Sequence, residues 1–311
     1  MTIAFISHPE CLKHEMGPHP EQPARLTAID DRLLVCGLEM VLRHYEAPVV
    51  SRALLERAHD LDYIESLYAR SPGQGHVQLD PDTAMNPHTL QAALHAAGAA
   101  ELGVDLVMGG EIKQVFCAVR PPGHHAERNR SMGFCLFNNI AIGAFNALEN
   151  HGLDRVAILD FDVHHGNGTE HIVQGDERIL FCSTFQHPFY PDSGAGKTAD
   201  NVINTPLPAG TDGEGFRAAV TRDWLPRLTE FAPQLVLVSA GFDAHQADDM
   251  AGLNLVDSDY AWVTRKLCEQ ADASAEGRLV SCLEGGYELH ALGRCVEAHL
   301  KAMLGPTGAA L

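Results

Sequence analysis

Six short apolar runs, most of them rich in β-branched residues, recur along the chain and alternate with longer helix-like stretches. Parallel strands are buried on both faces and need crossover connections, so this alternation predicts an α/β fold class with a mostly parallel sheet flanked by helices. The predicted strands are residues 3–6, 115–119, 156–159, 179–181, 235–238 and 279–283. The predicted helices are approximately residues 23–36, 88–108, 138–150, 213–229, 258–271 and 291–303.

The 311 residues contain no internal repeat, low-complexity tract or Pro/Gly/Ser-rich linker. We therefore predict a single catalytic domain over residues 1–311, with a frayed end from residue 305 onward. The first residues have no basic segment followed by a long apolar one, and no later window is apolar over a membrane-spanning length. These patterns predict a cytoplasmic protein without a membrane partner.

The formal net charge of −19 argues against a nucleic-acid partner, which would require a basic face. The eight cysteines form no Cys-x-x-Cys pair, and several lie in apolar runs, so we interpret them as reduced core residues. The composition leaves the oligomeric state open.

Nearly every predicted strand ends in a cluster of polar residues. In open parallel sheets, ligands bind beyond the carboxyl ends of the strands, so the clusters are predicted to form one site. The clusters are residues 120–125, 160–165, 183–187, 243–245 and 284–287.

The second cluster places Asp160, Asp162 and His164 at alternate positions after an apolar run. In an extended strand such residues point the same way, so all three are expected to aim at one point. The predicted metal ligands are Asp162, His164 and Asp243, because three N/O ligands leave one position open for water, as in catalytic zinc sites. Two alternatives stay open: Asp243 as a helix N-cap, and His245 as a rival ligand that we interpret as a loop residue.

The adjacent residues His124 and His125 follow a rigid Arg-Pro-Pro-Gly turn. One ring can take a proton from a metal-activated water while the other stays charged or protonates the leaving amine. Tyr287 follows two glycines, which permit an unusual backbone path, and its phenol can donate a hydrogen bond to an oxyanion. The alternatives are a chance histidine pair and an ordinary turn.

Two loop aromatics, Phe134 and Tyr190, lie after strands rather than within core runs. Two such rings facing one another would form a narrow apolar slot suited to a thin alkyl chain. For either ring alone, a packing role is the alternative.

In combination, these motifs resemble the histone deacetylase superfamily, in particular its class II-like bacterial deacetylases. The resemblance covers nearly the whole chain. It is carried by HPEQPARL, RPPGHHA, GFCLFNN, LDFDVHHGNGT, SAGFDAH and LEGGY, which begin at residues 19, 120, 133, 159, 239 and 283. The resemblance implies an arginase-deacetylase fold with one zinc ion held by Asp162, His164 and Asp243. Two oxygen ligands also suit Fe²⁺ or Co²⁺.

The resemblance also implies roles for individual residues. His124 and His125 would be the acid/base pair, Tyr287 would polarise the acyl carbonyl, and Asp160 would orient His124. A structural potassium ion would be held by Asp160, Asp162 and Ser183. The acyl-lysine tunnel would be lined by Gly133, Phe134, Tyr190 and Met250.

Two positions depart from common patterns of the superfamily. Asn167 stands where class I members carry Asp, the class II pattern, so the pKa of His125 should be raised less than beside a carboxylate. Met250 stands where polyamine-selective members carry Glu. This counts against a dedicated acetylpolyamine enzyme, although Asp80 or Asp82 can still attract an ammonium group.

The predicted function is zinc-dependent hydrolysis of an N-acyl amide, in first place acetyl, on a lysine of a protein or on a small lysine-like amine. An acetylpolyamine amidohydrolase is the first alternative. A binuclear manganese ureohydrolase would need a further carboxylate where Gly166 stands. A non-catalytic acyl-lysine binder would be indicated by a missing ligand or tyrosine, but each of these positions is filled.

Overall fold

A central sheet of eight parallel strands organises the part of the chain that the computed structural model describes, residues 2–305. The strand order is β2-β1-β5-β10-β9-β6-β7-β8, and β3 pairs with β4 in a separate antiparallel hairpin. The strands are β1 (Ile3–Ser7), β2 (Leu42–Glu46), β3 (Val77–Gln78), β4 (Ala84–Met85), β5 (Gln114–Cys117), β6 (Val156–Asp160), β7 (Ile179–Gln186), β8 (Val202–Leu207), β9 (Leu235–Ala240) and β10 (Leu279–Leu283).

Helices flank this sheet, as the alternation of apolar runs predicts. Helices α4 and α5 pack on each other and on central strands, whereas α10 packs between α1 and α9. The helices are α1 (Ala24–Val35), α2 (Arg52–Ala58), α3 (Leu61–Arg70), α4 (Thr89–Met108), α5 (Asn139–Glu149), α6 (Asn167–Val173), α7 (Gly213–Asp223), α8 (Leu225–Phe231), α9 (Asp257–Ser274) and α10 (Leu289–Met303).

The inner strands form the centre of the core. Every residue of β6, β9 and β10 is buried, as expected for parallel strands covered on both faces. Their carboxyl ends are neighbours at one edge of the sheet, where Asp160 pairs in register with both Ser183 and Ser239. Segments far apart in sequence therefore enter the same region of space.

Some predicted boundaries are wrong. The predicted helix 213–229 is two helices, because Pro226 lies at the start of α8 and lacks the N–H that a continuous helix needs. The predicted strand 115–119 ends at Cys117, whereas the predicted strand 179–181 continues to Gln186.

The edge strands β2 and β8 and the short helices α2, α3 and α6 are not among the predicted elements. Strand β2 has no fully buried residue, so it produces no apolar run.

All eight cysteines are unpaired, six of them buried and two partly buried. Within residues 2–305, no helix has the length and hydrophobicity that a membrane span requires. The predicted frayed end falls mainly on residues 306–311, which lie outside the described part of the chain.

Candidate active site

Three predicted ligands converge beyond the carboxyl ends of β6 and β9. One donor atom from each of Asp162, His164 and Asp243 lies within 4.8 Å of the other two. His164 Nδ1 lies 3.0 Å from Asp162 Oδ1 and 3.3 Å from Asp243 Oδ2. All three residues are buried, so a small N/O cage exists at the predicted position.

Asp160 does not join this cage, so the expectation of three side chains aimed at one point is wrong for this residue. Strand β6 ends at Asp160, and the chain bends at Asp162 and His164 instead of staying extended. Asp160 Oδ1 accepts the N–H of Asp162 at 3.1 Å, and Oδ2 accepts a hydrogen bond from His124 Nδ1 at 2.9 Å. The alternating pattern therefore contains two predicted metal ligands, Asp162 and His164, and a carboxylate, Asp160, that holds His124.

The hydrogen bonds around the cage leave one oxygen free. Asp162 Oδ2 accepts the N–H of Gly285 at 2.9 Å, and Asp243 Oδ1 accepts that of Val163 at 2.9 Å. Asp243 Oδ2 is buried and has no hydrogen-bond partner within the described residues. A buried carboxylate oxygen without a partner is costly, and a cation bound there would remove that cost.

The electrostatics of the cage also favour a positive charge. Burial and the neighbouring Asp162 charge raise the pKa of Asp243 to about 6. Burial disfavours the charged form of His164, but the nearby Asp162 and Asp243 carboxylates outweigh it and raise its pKa to about 9. Two carboxylates and one imidazole around a shared point thus fit a divalent ion with N/O preference.

The two adjacent histidines lie beside the cage with different partners. Their ring centroids are 4.0 Å apart. His124 Nδ1 donates to the Asp160 carboxylate, whereas His125 Nδ1 lies 2.7 Å from the amide oxygen of Asn167. One ring is therefore held by an anion and the other by a neutral group.

This difference separates the pKa values of the two rings. For His124, burial lowers the pKa, but Asp162 and Asp160 outweigh it and hold the pKa well above its usual range. For His125, burial and the neighbouring His124 and His164 charges hold the pKa well below its usual range, against a small rise from Asn167. The adjacent pair thus contains one charged and one neutral imidazole.

Glu284 holds the turn that presents the histidines. Its Oε2 accepts the N–H groups of Gly123 and His124 at 2.7 and 3.1 Å, and Ser239 Oγ donates to its Oε1 at 3.0 Å. Burial raises the pKa of Glu284 to about 7. This acid at the end of a strand has no predicted role of its own. The sequence feature that could have indicated a role is its position directly after strand β10.

A buried ion network supports the tyrosine segment from behind. Glu21 pairs with both Arg120 and Arg25, and all three side chains are fully buried. Arg25 Nε donates to the Gly286 carbonyl at 2.7 Å, and its guanidinium lies 4.8 Å from the centroid of the Tyr287 ring. The HPEQPARL segment thus supplies a support that sequence reasoning did not assign. The sequence feature that could have indicated this support is the i,i+4 spacing of Glu21 and Arg25 at the start of α1.

The Gly-Gly-Tyr turn passes directly over the cage. A Cβ on Gly285 would lie 2.1 Å from Asp243 Oδ2, and Gly286 has a φ of +118°, so neither position accepts a side chain without strain. The Tyr287 N–H donates to Asp248 Oδ2 at 2.6 Å. Desolvation holds the pKa of the Tyr287 phenol well above its usual range, so the phenol stays a hydrogen-bond donor.

Aromatic rings surround the approach to the cage. The Tyr190 ring stands edge-on to His125 at 5.3 Å and to His164 at 5.9 Å, and Phe189 stacks on His164 at 5.6 Å. The Phe134 ring stands edge-on to Tyr287 at 5.9 Å. Phe134 has a φ of +68°, an unfavourable conformation for a bulky residue that is common where a side chain is held for function.

The remaining tunnel positions lie against these groups. A Cβ on Gly133 would lie 2.2 Å from the His125 ring, so the glycine backbone packs on that ring. Met250 lines a surface groove together with Tyr287. Asp80 and Asp82 belong to a loop in which Thr83 Oγ1 accepts the Phe134 N–H at 3.0 Å.

Ser183 is buried in β7 beside Asp160, and its hydroxyl oxygen lacks a hydrogen-bond partner in the described part of the chain. A free hydroxyl oxygen next to a carboxylate fits a monovalent cation.

A second group of ligand-type side chains, His245, Asp257 and Cys295, lies nearby with donor atoms within 4.8 Å of one another. His245 Nδ1 accepts the Ala247 N–H at 3.1 Å, so Nε2 carries the ring proton and donates to Asp257 Oδ1 at 3.2 Å. Arg294 Nε donates to Asp257 Oδ2 at 3.0 Å. This group is a closed hydrogen-bonded cluster. Its geometry agrees with the interpretation of His245 as a loop residue.

A buried N/O cage beside a histidine pair and a phenol, at the carboxyl edge of a parallel sheet, is typical of metal-dependent hydrolases. The family model for the histone deacetylase domain matches residues 19–303, and the chain belongs to this family. Members of the family are hydrolytic, metal-dependent deacetylases, and this protein is an enzyme of that class.

Individual relatives agree with this placement. A probable deacetylase of Archaeoglobus fulgidus is 37% identical over 93% of this chain and 82% of its own length. The polyamine deacetylase HDAC10 of Homo sapiens is 35% identical over 92% of this chain and 44% of its own length. The crystal structure of the HDA15 HD domain superposes with a TM-score of 0.91 at 31% identity, covering 99% of this chain and 91% of that one.

Proposed function

We propose that this protein is a zinc-dependent deacylase that removes an acetyl group from the side-chain amide of lysine or from a lysine-like amine. The observation that carries the proposal is the Asp162, His164 and Asp243 cage with one buried, unpartnered carboxylate oxygen. Fe²⁺ and Co²⁺ suit the same donor set.

The three cage residues would hold the ion. When bound, it supplies Lewis-acid polarisation of the acyl carbonyl and lowers the pKa of a water molecule. Asp162 and Asp243 are fixed in place by N–H donors from Gly285 and Val163, so the cage is largely preorganised.

His125 would act as the base, because it is neutral and its Nδ1 is taken up by Asn167, which leaves Nε2 to accept a proton from water. His124, charged and paired with Asp160, would stabilise negative charge and protonate the departing amine. Tyr287 would donate a hydrogen bond from its phenol to the oxyanion that develops on the acyl carbonyl.

The aromatic rings of Phe134 and Tyr190, with Gly133 and Met250, would form the tunnel for the acylated alkyl chain. Asp160, Asp162 and Ser183 would hold a structural potassium ion, which is supported by the unpartnered Ser183 hydroxyl. The eight unpaired cysteines are compatible with the predicted cytoplasmic location.

An acetylated polyamine is the second candidate substrate. Two observations favour it: the similarity to a human polyamine deacetylase, and the acidic pair Asp80 and Asp82 on the loop that holds Phe134. Met250 at the groove beside Tyr287 supplies no charge for an ammonium group, and it therefore favours acyl-lysine.

The ureohydrolase alternative lacks support. A Cβ at Gly166 would lie 2.2 Å from Asp160 Oδ2, so the position that would supply a bridging carboxylate has no room for a side chain. We expect one tightly bound divalent ion per chain.

Purified, zinc-loaded protein should be assayed side by side on acetyl-lysine peptides, acetylated polyamines and longer acyl-lysines, with the metal counted per chain. Release of acetate from peptides above polyamines supports the proposal. Release from none of them would favour a non-catalytic acyl-lysine binder, and two ions per chain would contradict the mononuclear site.

A further inference from the structure

Three polar side chains form a line that starts at the proposed base and ends near the surface. His125 Nδ1 lies 2.7 Å from Asn167 Oδ1. Asn167 Nδ2 donates to Glu127 Oε1 at 2.8 Å and has a longer contact, 3.3 Å, with the weak acceptor Met132 Sδ. The His125 and Asn167 residues are buried, and the Glu127 side chain is 19% exposed. Glu127 takes no part in the proposed mechanism.

Glu127 determines which atom donates and which accepts in each hydrogen bond of this line. An amide can present either its oxygen or its NH₂ group to a neighbour, whereas a carboxylate only accepts hydrogen bonds. Because Glu127 requires the NH₂ group, the oxygen of Asn167 must face His125. An amide oxygen accepts, so His125 must carry its proton on Nδ1 and leave Nε2 free.

We propose that Glu127 is a positioning residue that fixes the orientation of the Asn167 amide and, through it, the His125 tautomer that can accept a proton. The inference rests on the proposed function, in which His125 is the base. A carboxylate in place of Asn167 would accept through either oxygen and would need no such partner. The amide therefore makes this chain depend on Glu127.

The other contacts of Glu127 allow a purely structural alternative. Oε1 accepts from Arg130 Nη2 at 2.9 Å, and Oε2 lies 3.7 Å from His171 Nδ1. If Glu127 only anchors the loop through Arg130, removing the arginine should matter as much as removing the acid. The Arg130 side chain is 58% exposed and does not contact Asn167 or His125 in the hydrogen-bond network.

The decisive variants are Glu127→Gln, Asn167→Asp and the double variant, in the full-length, metal-loaded enzyme with an acetyl-lysine peptide. In Glu127→Gln, the new amide can either accept from or donate to Asn167, so the Asn167 amide loses its fixed orientation. We expect kcat to fall about 10- to 100-fold, the range of one charge-assisted hydrogen bond, with KM and metal content unchanged. Asn167→Asp alone should also lose activity, because it places two carboxylates in contact.

The double variant should recover much of the lost kcat. In it, the NH₂ group of the introduced glutamine donates to the introduced aspartate. That aspartate also accepts from His125 Nδ1–H, which restores the tautomer. Recovery above both single variants supports the proposal. If the fold-loss of kcat in the double variant equals the product of the losses in the two single variants, the proposal is overturned.

Arg130→Gln is the matched control, because it removes another partner of the same carboxylate. We expect its kcat to stay near wild type. A loss equal to that of Glu127→Gln would show that the acid acts through the ion pair, and the proposal would be wrong.

The ¹⁵N chemical shifts of the His125 ring provide a readout without turnover, assigned by difference from His125→Gln. Wild-type protein should show a proton on Nδ1, and Glu127→Gln a mixture of the two tautomers. Unchanged shifts in the variant would overturn the inference even in an active enzyme. If the wild type releases no acetate but the shifts change as expected, the proposed function fails and the positioning role stands.

Discussion

Two clusters of ligand-type side chains each include one residue of the segment after strand β9, and they differ in how their donor atoms are used. Asp162, His164 and Asp243 surround a point with one carboxylate oxygen left without a partner. In the His245 and Asp257 cluster, by contrast, both imidazole nitrogens have partners and the carboxylate is also paired with Arg294. Both clusters contain a histidine and a carboxylate, and in both the donor atoms lie within 4.8 Å of one another. Free donor atoms, rather than donor types, therefore distinguish a candidate metal site.

The largest expected effect comes from removing a ligand of the first cluster. His164→Ala should lose the bound ion and lower kcat by about 1,000-fold or more, beyond the 10- to 100-fold typical of residues that only support ligands. Metal content per chain and acetate release from an acetyl-lysine peptide measure both effects. His245→Ala is the matched variant in the second cluster and should retain the ion. Loss of the ion in His245→Ala alone would reverse the comparison.

A buried histidine close in sequence to the second cluster should make the protein sensitive to acid. His299, one turn after Cys295 in α10, is buried between Thr264 and Ser281 hydroxyls, and burial lowers its pKa to about 3. Because the unfolded state binds the proton near pH 6.5, this residue lowers stability progressively as the pH falls from 6.5 toward 3. The loss approaches about 4 kcal/mol in the free energy of unfolding.

Urea unfolding at several pH values between 4 and 7 measures this slope, with His299→Gln as the control. The variant keeps a hydrogen-bonding side chain but cannot titrate, so its stability should depend less on pH. An equally steep dependence in the variant would assign the acid sensitivity to other groups.

Next in size is the phenol beside the first cluster. Tyr287→Phe removes one donor to the oxyanion and should lower kcat about 100- to 1,000-fold while sparing the metal content. The ring still packs on Phe134 and Arg25, so folding should be preserved. An unchanged rate would remove Tyr287 from the mechanism, and loss of metal would show that the phenol oxygen also helps to hold the ion.

The smallest effect is expected in the second cluster. Cys295→Ser keeps a donor to Asp257 and should change the free energy of unfolding by about 1 kcal/mol or less, with kcat and metal content unchanged. Thermal unfolding and metal analysis test this directly. A drop in bound metal below one ion per chain would mean that this cluster, too, contributes a ligand.

Much of the fold can be predicted from the sequence, because the inner parallel strands coincide with uninterrupted apolar runs. Prediction of strands from apolar runs is least accurate where burial is partial. Strand β2, at the sheet edge, has no fully buried residue and therefore shows no apolar run in the sequence. Similarly, the break between α7 and α8 depends on one proline within an otherwise helical stretch. Boundaries of this kind depend on the neighbours that a segment finds in space.

The supports of the candidate site were harder to predict than its central residues. Glu21 and Arg25 reach Arg120 and the Gly286 carbonyl across more than 90 residues of sequence, and the sequence assigned them no role. Asp160 appears equivalent to Asp162 in the alternating pattern. The chain bends after β6, however, and the Asp160 carboxylate accepts a hydrogen bond from His124 instead. Whether neighbouring residues take the same role or different ones depends on the direction of the backbone after a strand. The periodicity of a sequence does not encode that direction.

The sequence by itself determined the parallel sheet, the placement of polar clusters at strand ends and the residue types available for metal binding. These properties are local, because burial and strand geometry impose them on neighbouring residues. Only the tertiary structure decided which donor atoms are already satisfied. The partners come from distant segments, as when the Gly285 N–H meets Asp162 across 123 residues and leaves Asp243 with its free oxygen.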